Sequence, residues 1–149
     1  MLPSPIPGVK PGLANVVTVL ALLHFGWRIA AWVTLLRVLV GSLLLGTFLS
    51  PTFFLSLSGA VAALALLGAA TRLLPKGTLS GIGFSLLAAQ AHMIGQFLAA
   101  WALFVPHPGL WVLLPPLLTA AIVFGWLGGI MVNYVDQRTD PERWHPTRT

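Results

Sequence analysis

Apolar residues run along this chain in long blocks, interrupted by short clusters of proline, glycine and charge. Residues 38–71 carry no charge, and neither do residues 77–135. A bilayer core of about 30 Å needs about 20 apolar residues as helix. The first block therefore holds part of one span and most of another, and the second holds two. Pro51 after Ser50, the cluster Pro75-Lys76-Gly77 and the cluster Pro106-His107-Pro108-Gly109 read as turns. Gly26, before Trp27-Arg28, is a weaker break. The pattern predicts five helices, at about 13–26, 28–49, 53–74, 79–104 and 110–135. The first is short enough to be tilted or partly re-entrant. Pro115 and Pro116 fall in the first two turns of the last helix, so they either move its start to near Pro115 or kink it.

Residues 1–12 hold Pro3, Pro5, Pro7, Gly8 and Pro11 and predict an extended loop. No apolar run precedes it, so it has no signal-peptide pattern. Residues 136–149 form a polar tail. The predicted fold is all-α: a polytopic transmembrane helical bundle over residues 13–135. Trp27, Trp101 and Trp111 sit near predicted span ends, as interfacial anchors do.

Composition supports this reading. Hydrophobic residues make up 57% of the 149 and charged residues 7%, against about 25% charged in an average soluble domain. The net charge of +5 invites a nucleic-acid reading, but the positions of the charges argue against it. The acids are Asp136, Asp140 and Glu142, and Arg138, Arg143 and Arg148 offset them in the same tail. Lys10, Arg28, Arg37, Arg72 and Lys76 are scattered through an apolar chain and make no basic face. No nucleic-acid partner is expected. The chain has no cysteine, which removes disulfides, thiol catalysis and Cys-based metal sites.

Lys and Arg bias sets orientation. Arg28, Arg72, Lys76 and the tail arginines mark the first turn, the third turn and the tail as cytoplasmic. The uncharged second and fourth turns lie outside. Five spans then leave the N-terminal loop outside, an awkward start for insertion. A sixth helix upstream would restore both termini to the cytoplasm, so a truncated start is expected. The predicted location is the bacterial inner (cytoplasmic) membrane, multi-pass, with a cytoplasmic C-terminus.

Four residues are candidates for binding chemistry. Arg37 lies about 13 Å along the 28–49 helix. Charge at that depth is costly and faces a cavity or a partner. The membrane part offers no acid, which leaves backbone carbonyls, lipid phosphate, an anionic ligand or another subunit. His92 and Gln96 are i,i+4 on one face of the fourth helix. They form either an interhelical hydrogen-bond pair or a polar lining that orients a ligand. Ala91, Gly95 and Ala99 lie beside them as a small-residue stripe that lets another helix approach closely. Asn15 and Thr18 begin the first helix, where Asn15 either caps a loop or faces the site. A second stripe, Ala121, Gly125 and Gly129, reads as helix packing.

The missing residue types exclude several activities. Prenyl-diphosphate synthesis needs carboxylate clusters to hold Mg²⁺, and no acid precedes Asp136. A Ser–His–Asp triad has no buried Asp, and no phosphate-cradling loop follows a strand. No enzyme activity, catalytic residue, metal or cofactor is expected.

Specific segments resemble a known family. They are Pro7-Gly-Val-Lys-Pro-Gly-Leu-Ala-Asn15-Val-Val-Thr18, Leu36-Arg37-Val-Leu-Val-Gly41-Ser42, Gly46-Thr-Phe-Leu-Ser50-Pro51 and Ala91-His92-Met-Ile-Gly95-Gln96. Together they resemble the Gx transporter family, also labelled heptaprenyl diphosphate synthase component I. Met93 stands where that family commonly has Asn. The family is similar to the substrate-binding S components of energy-coupling factor (ECF) transporters, six-helix bundles of which this chain has five helices, the first apparently missing. The resemblance implies capture of a small vitamin- or cofactor-like solute from outside, flavin or isoprenoid-related. It also implies a coupling subunit and ATPases as partners. Residues 5–15 would gate the mouth, and Asn15, Arg37, His92 and Gln96 would line the pocket, with Arg37 attracting an anionic group. S components often dock the coupling subunit through small-residue motifs on their first and third helices. Here the 28–49 helix offers Ala30 and Thr34 at that spacing. The alternative is a non-catalytic membrane accessory of heptaprenyl or polyprenyl diphosphate synthesis.

Overall fold

The computed structural model describes residues 11–139. Of the expected loop over residues 1–12 and the expected tail over 136–149, residues 1–10 and 140–149 lie outside the described residues, while residues 11–12 fall in the first helix and residues 136–139 in the last. Five α-helices follow one another up and down: α1 Pro11–Phe25, α2 Trp27–Leu44, α3 Pro51–Leu73, α4 Gly81–Ala99 and α5 Leu114–Thr139. A π-helical turn, Ala100–Phe104, prolongs α4, and a 3-10 segment, Pro108–Leu113, precedes α5. No strand occurs among the described residues.

Each boundary has a local cause. Ser50 caps α3, its hydroxyl accepting from the Phe53 N–H at 3.4 Å, and Pro51 follows where a missing N–H costs nothing. Ser80 caps α4 in the same way, accepting from the Gly83 N–H at 3.3 Å. α1 and α2 are separated by the single residue Gly26, whose φ of 91° breaks the helix. α2 stops at Leu44, short of the expected 49. Gly46 takes φ 67°, and the Thr47 N–H donates to the Ser42 carbonyl at 2.8 Å while the Gly46 N–H donates to that of Leu43 at 3.3 Å. This is a Schellman turn. The apolar run alone carries the helix through Gly46; the glycine ends it. Pro115 and Pro116 fall in the first turn of α5 and so start that helix rather than kink it.

α4 packs between α3 and α5, α1 rests on α2, α4 and α5, and α2 closes against α3. Small residues let the backbones approach. A Cβ on Gly95 would stand 2.6 Å from the Ala62 Cβ and 2.8 Å from the Ser58 carbonyl oxygen of α3. One on Gly129 would stand 2.6 Å from the Ile82 Cα, so the Ala121-Gly125-Gly129 stripe packs α5 onto α4. The interior is filled by Val16, Val19, Leu22, Leu67, Ala88, Ala91 and Val132. The outside is also apolar: Trp32, Leu36, Leu43, Ile122, Val123 and Trp126 are exposed. Such a surface suits lipid rather than water. Four helical stretches are long and apolar enough to cross a membrane, and α1, at 15 residues, is shorter.

The ends of the bundle differ. One carries Gly26, the 74–80 turn and the end of α5, and with them Arg28, Arg72, Lys76 and Arg138. At the other, which is cation-free among the described residues, residues 45–50 and 105–113 contain no Lys, Arg, Asp or Glu. At the cationic end the Trp27 indole N–H donates to the Leu64 carbonyl at 2.9 Å, and the ring lies against Gly68.

Candidate functional site

Arg37, Gly59 and His92 lie seven, eight and seven residues from the ends of α2, α3 and α4 that face the cation-free side. That is about 10–12 Å of helix, so the three share one depth. Gly59 is where the α4 side chains meet α3. A Cβ there would stand 2.7 Å from the Gln96 Cγ and 2.9 Å from both Cε1 and Nε2 of His92. The two α4 side chains therefore lie over the bare backbone of α3, and His92 engages the Gly59 main chain. The Arg37 guanidinium is near enough to act on the His92 ring electrostatically. Arg37, His92 and Gln96 are part-buried.

Asn15 belongs to a second polar line. The Thr18 and Thr34 hydroxyls, both 2% exposed, are hydrogen-bonded at 2.9 Å between α1 and α2. Asn15, itself buried, is one turn from Thr18, and Arg37 is one turn from Thr34. Both steps lead toward the cation-free end. Thr34 and Ala30, the small residues at docking spacing, thus face α1 and are almost fully covered.

Two residues complete the picture. Gly59 carries no mark of its own in the sequence; the short side chains around it, Ser58 and Ala60, are the one available hint. Ser85, two turns before His92 on the same face of α4, is fully buried with no hydrogen-bond partner for its hydroxyl. Gln90, by contrast, is committed to packing, donating to the Leu118 carbonyl of α5 at 3.2 Å.

The cluster offers a guanidinium, an imidazole and an amide. Among the described residues no three His, Cys, Asp or Glu come together to hold a metal. The arrangement can bind by hydrogen bonds and one fixed positive charge.

A bundle of apolar helices with a polar cluster at mid-depth defines a polytopic membrane protein. The chain belongs to the heptaprenyl diphosphate synthase component I family, whose sequence model matches residues 1–135. No curated protein and no solved structure matches it.

Proposed function

We propose that this protein is the substrate-binding membrane subunit, similar to an S component, of an ECF-type importer for a small vitamin- or cofactor-like solute. The supporting observation is the convergence of His92 and Gln96 on the Gly59 backbone, with Arg37 near enough to act on His92 and at the same depth along its helix. Cations favour the cytoplasmic side of a membrane, so the cation-free end faces out and the C-terminus faces the cytoplasm of a bacterial inner membrane. Arg37 would take an anionic group of the solute, flavin or isoprenoid-related, and His92 and Gln96 would hold its polar edge. Asn15 would extend the lining along α1. Energy would come from a coupling subunit and ATPases. Because Ala30 and Thr34 face α1, that subunit would dock elsewhere.

The test is native mass spectrometry of protein purified in mild detergent, looking for a retained flavin, vitamin or prenyl phosphate. A hydrogen bond to a charged group contributes about 1.5–3 kcal/mol. Arg37→Ala should therefore weaken retention of an anionic ligand by roughly tenfold to a hundredfold. Unchanged retention removes Arg37 from the site.

The family name favours a second reading, a non-catalytic accessory of heptaprenyl diphosphate synthesis. A soluble synthase that co-purifies with this chain and needs it for activity would establish that role instead.

A further inference from the structure

At the cation-bearing end, Trp27 at the start of α2 is seated in a notch of α3. Leu64, Gly68 and Arg72 lie one turn apart along a single stripe of α3. The indole N–H donates to the Leu64 carbonyl at 2.9 Å. A Cβ on Gly68 would collide with the indole nitrogen, so the missing side chain is what admits the ring. One turn further on, the Arg72 guanidinium carbon stands over that ring, 5.7 Å from its centroid. A cation–π contact uses the charge and no hydrogen bond, so the five N–H donors of Arg72 remain for an acceptor. Arg28 follows Trp27 directly, and Lys76 lies in the turn after α3; both are exposed, as is Arg72. No carboxylate among the described residues is within ion-pair distance of any of the three. Beside them in the chain, Ile29, Leu73 and Leu74 are exposed apolar side chains, part of the surface that suits lipid. A ligand that fits this place has an anionic head and an apolar body.

We propose that Trp27, Arg28, Arg72 and Lys76 form a site for the headgroup of a phospholipid with net negative charge. The planar fork of Arg72 takes phosphate oxygens. Arg28 and Lys76 add the charge that favours an anionic head over a zwitterionic one. The acyl chains run from there along the apolar exterior. Trp27 is a positioning residue: its bond to Leu64 and its seat on Gly68 hold Arg72 in place, where indoles commonly sit at headgroup level. Cations that only set orientation need no such seat. Arg138 is also stacked, over Tyr134 at 4.6 Å, but it shares its turn of α5 with Asp136, which offsets its charge. The site does not depend on the importer reading.

The test is native mass spectrometry of the full chain released from nanodiscs of equal parts phosphatidylglycerol and phosphatidylcholine with the same acyl chains. A hydrogen bond to a charged group is worth about tenfold or more in affinity. Wild-type protein should retain phosphatidylglycerol in about tenfold excess, and Arg72→Gln should remove most of that excess. Arg72→Lys keeps the charge without the fork and should fall between the two. Trp27→Leu keeps every charge and should also reduce the excess, because Arg72 loses its seat. Arg138→Gln removes one charge from the same end and should leave the excess unchanged. Glycerol 3-phosphate added in excess should not displace the lipid. Equal retention of the two lipids by the wild type overturns the site. So does a loss in Arg138→Gln as large as that in Arg72→Gln, which would mean a diffuse field, or displacement by glycerol 3-phosphate, which would mean a soluble anion.

Discussion

The α3–α4 and α1–α2 contacts both join neighbouring helices, by opposite means. Between α3 and α4 the chain removes side chains: Gly95 sits against Ser58, Gly59 and Ala62, and the backbones nearly touch. Between α1 and α2 it keeps polar side chains and makes them partners, Thr18 to Thr34. The difference bears on function. In the threonine pair the polar groups engage each other. At the glycine crossing the space freed by Gly59 is taken by His92 and Gln96, long side chains with polar ends. The same small residue that permits close packing makes a shelf for the candidate site.

The two glycines of that crossing should therefore respond differently to alanine. Gly95→Ala drives a methyl into Ala62 and into the Ser58 main chain, neither of which can rotate away. Overpacking of this kind costs about 1–3 kcal/mol, and the melting temperature in mild detergent should fall by several degrees. Gly59→Ala first meets the side chains of Gln96 and His92, which have more freedom to move than main chain. It should lower the melting temperature less than Gly95→Ala does and displace the two groups, so that native mass spectrometry finds any small molecule retained by the wild type lost. Equal thermal losses in the two variants would show that Gly59 serves packing alone.

The threonine pair should contribute less. Interhelical hydrogen bonds in membranes average about 0.6 kcal/mol and reach about 1.7. Thr18→Val, Thr34→Val and the double variant close a cycle whose coupling energy should fall in that range. Each valine is close to isosteric, so the cycle isolates the hydrogen bond. A coupling of zero would mean that the two helices are held by their apolar neighbours and that the polar line is incidental.

Much of the fold is legible in the sequence because span length and breakers are local signals. Ser50-Pro51 writes its own cap, and Pro115-Pro116 allow the start of α5 that the structure shows as one of two readings. The end of α2 is less visible, because Leu43, Leu44 and Leu45 carry the apolar run up to Gly46 and only the Schellman bonds stop it. For the site, the i,i+4 spacing of His92 and Gln96 shows that they share a face, and uncharged surroundings mark Arg37. That they meet at Gly59 is a matter of helix register between α3 and α4, which no local pattern encodes. The His24–Asp136 contact joins residues 24 and 136 for the same reason. Only their common end of the bundle, set by up-down topology, hints at it.

Two glycines at the end of α2 separate helix propensity from turning the chain. At Gly41 and Gly46 a Cβ would meet nothing within 4 Å, so space is not the issue at either. Gly41 is helical within α2, and alanine there should raise stability by up to about 1 kcal/mol, since glycine costs about that much in a helix interior. Gly46 has φ 67°, a left-handed conformation that costs an L-residue about 1–2 kcal/mol. Gly46→Ala should therefore lower the melting temperature slightly, although it too touches nothing. If Gly46→Ala were neutral, α2 would not end in the Schellman turn, and the helix would run on toward 49 as the apolar pattern alone implies.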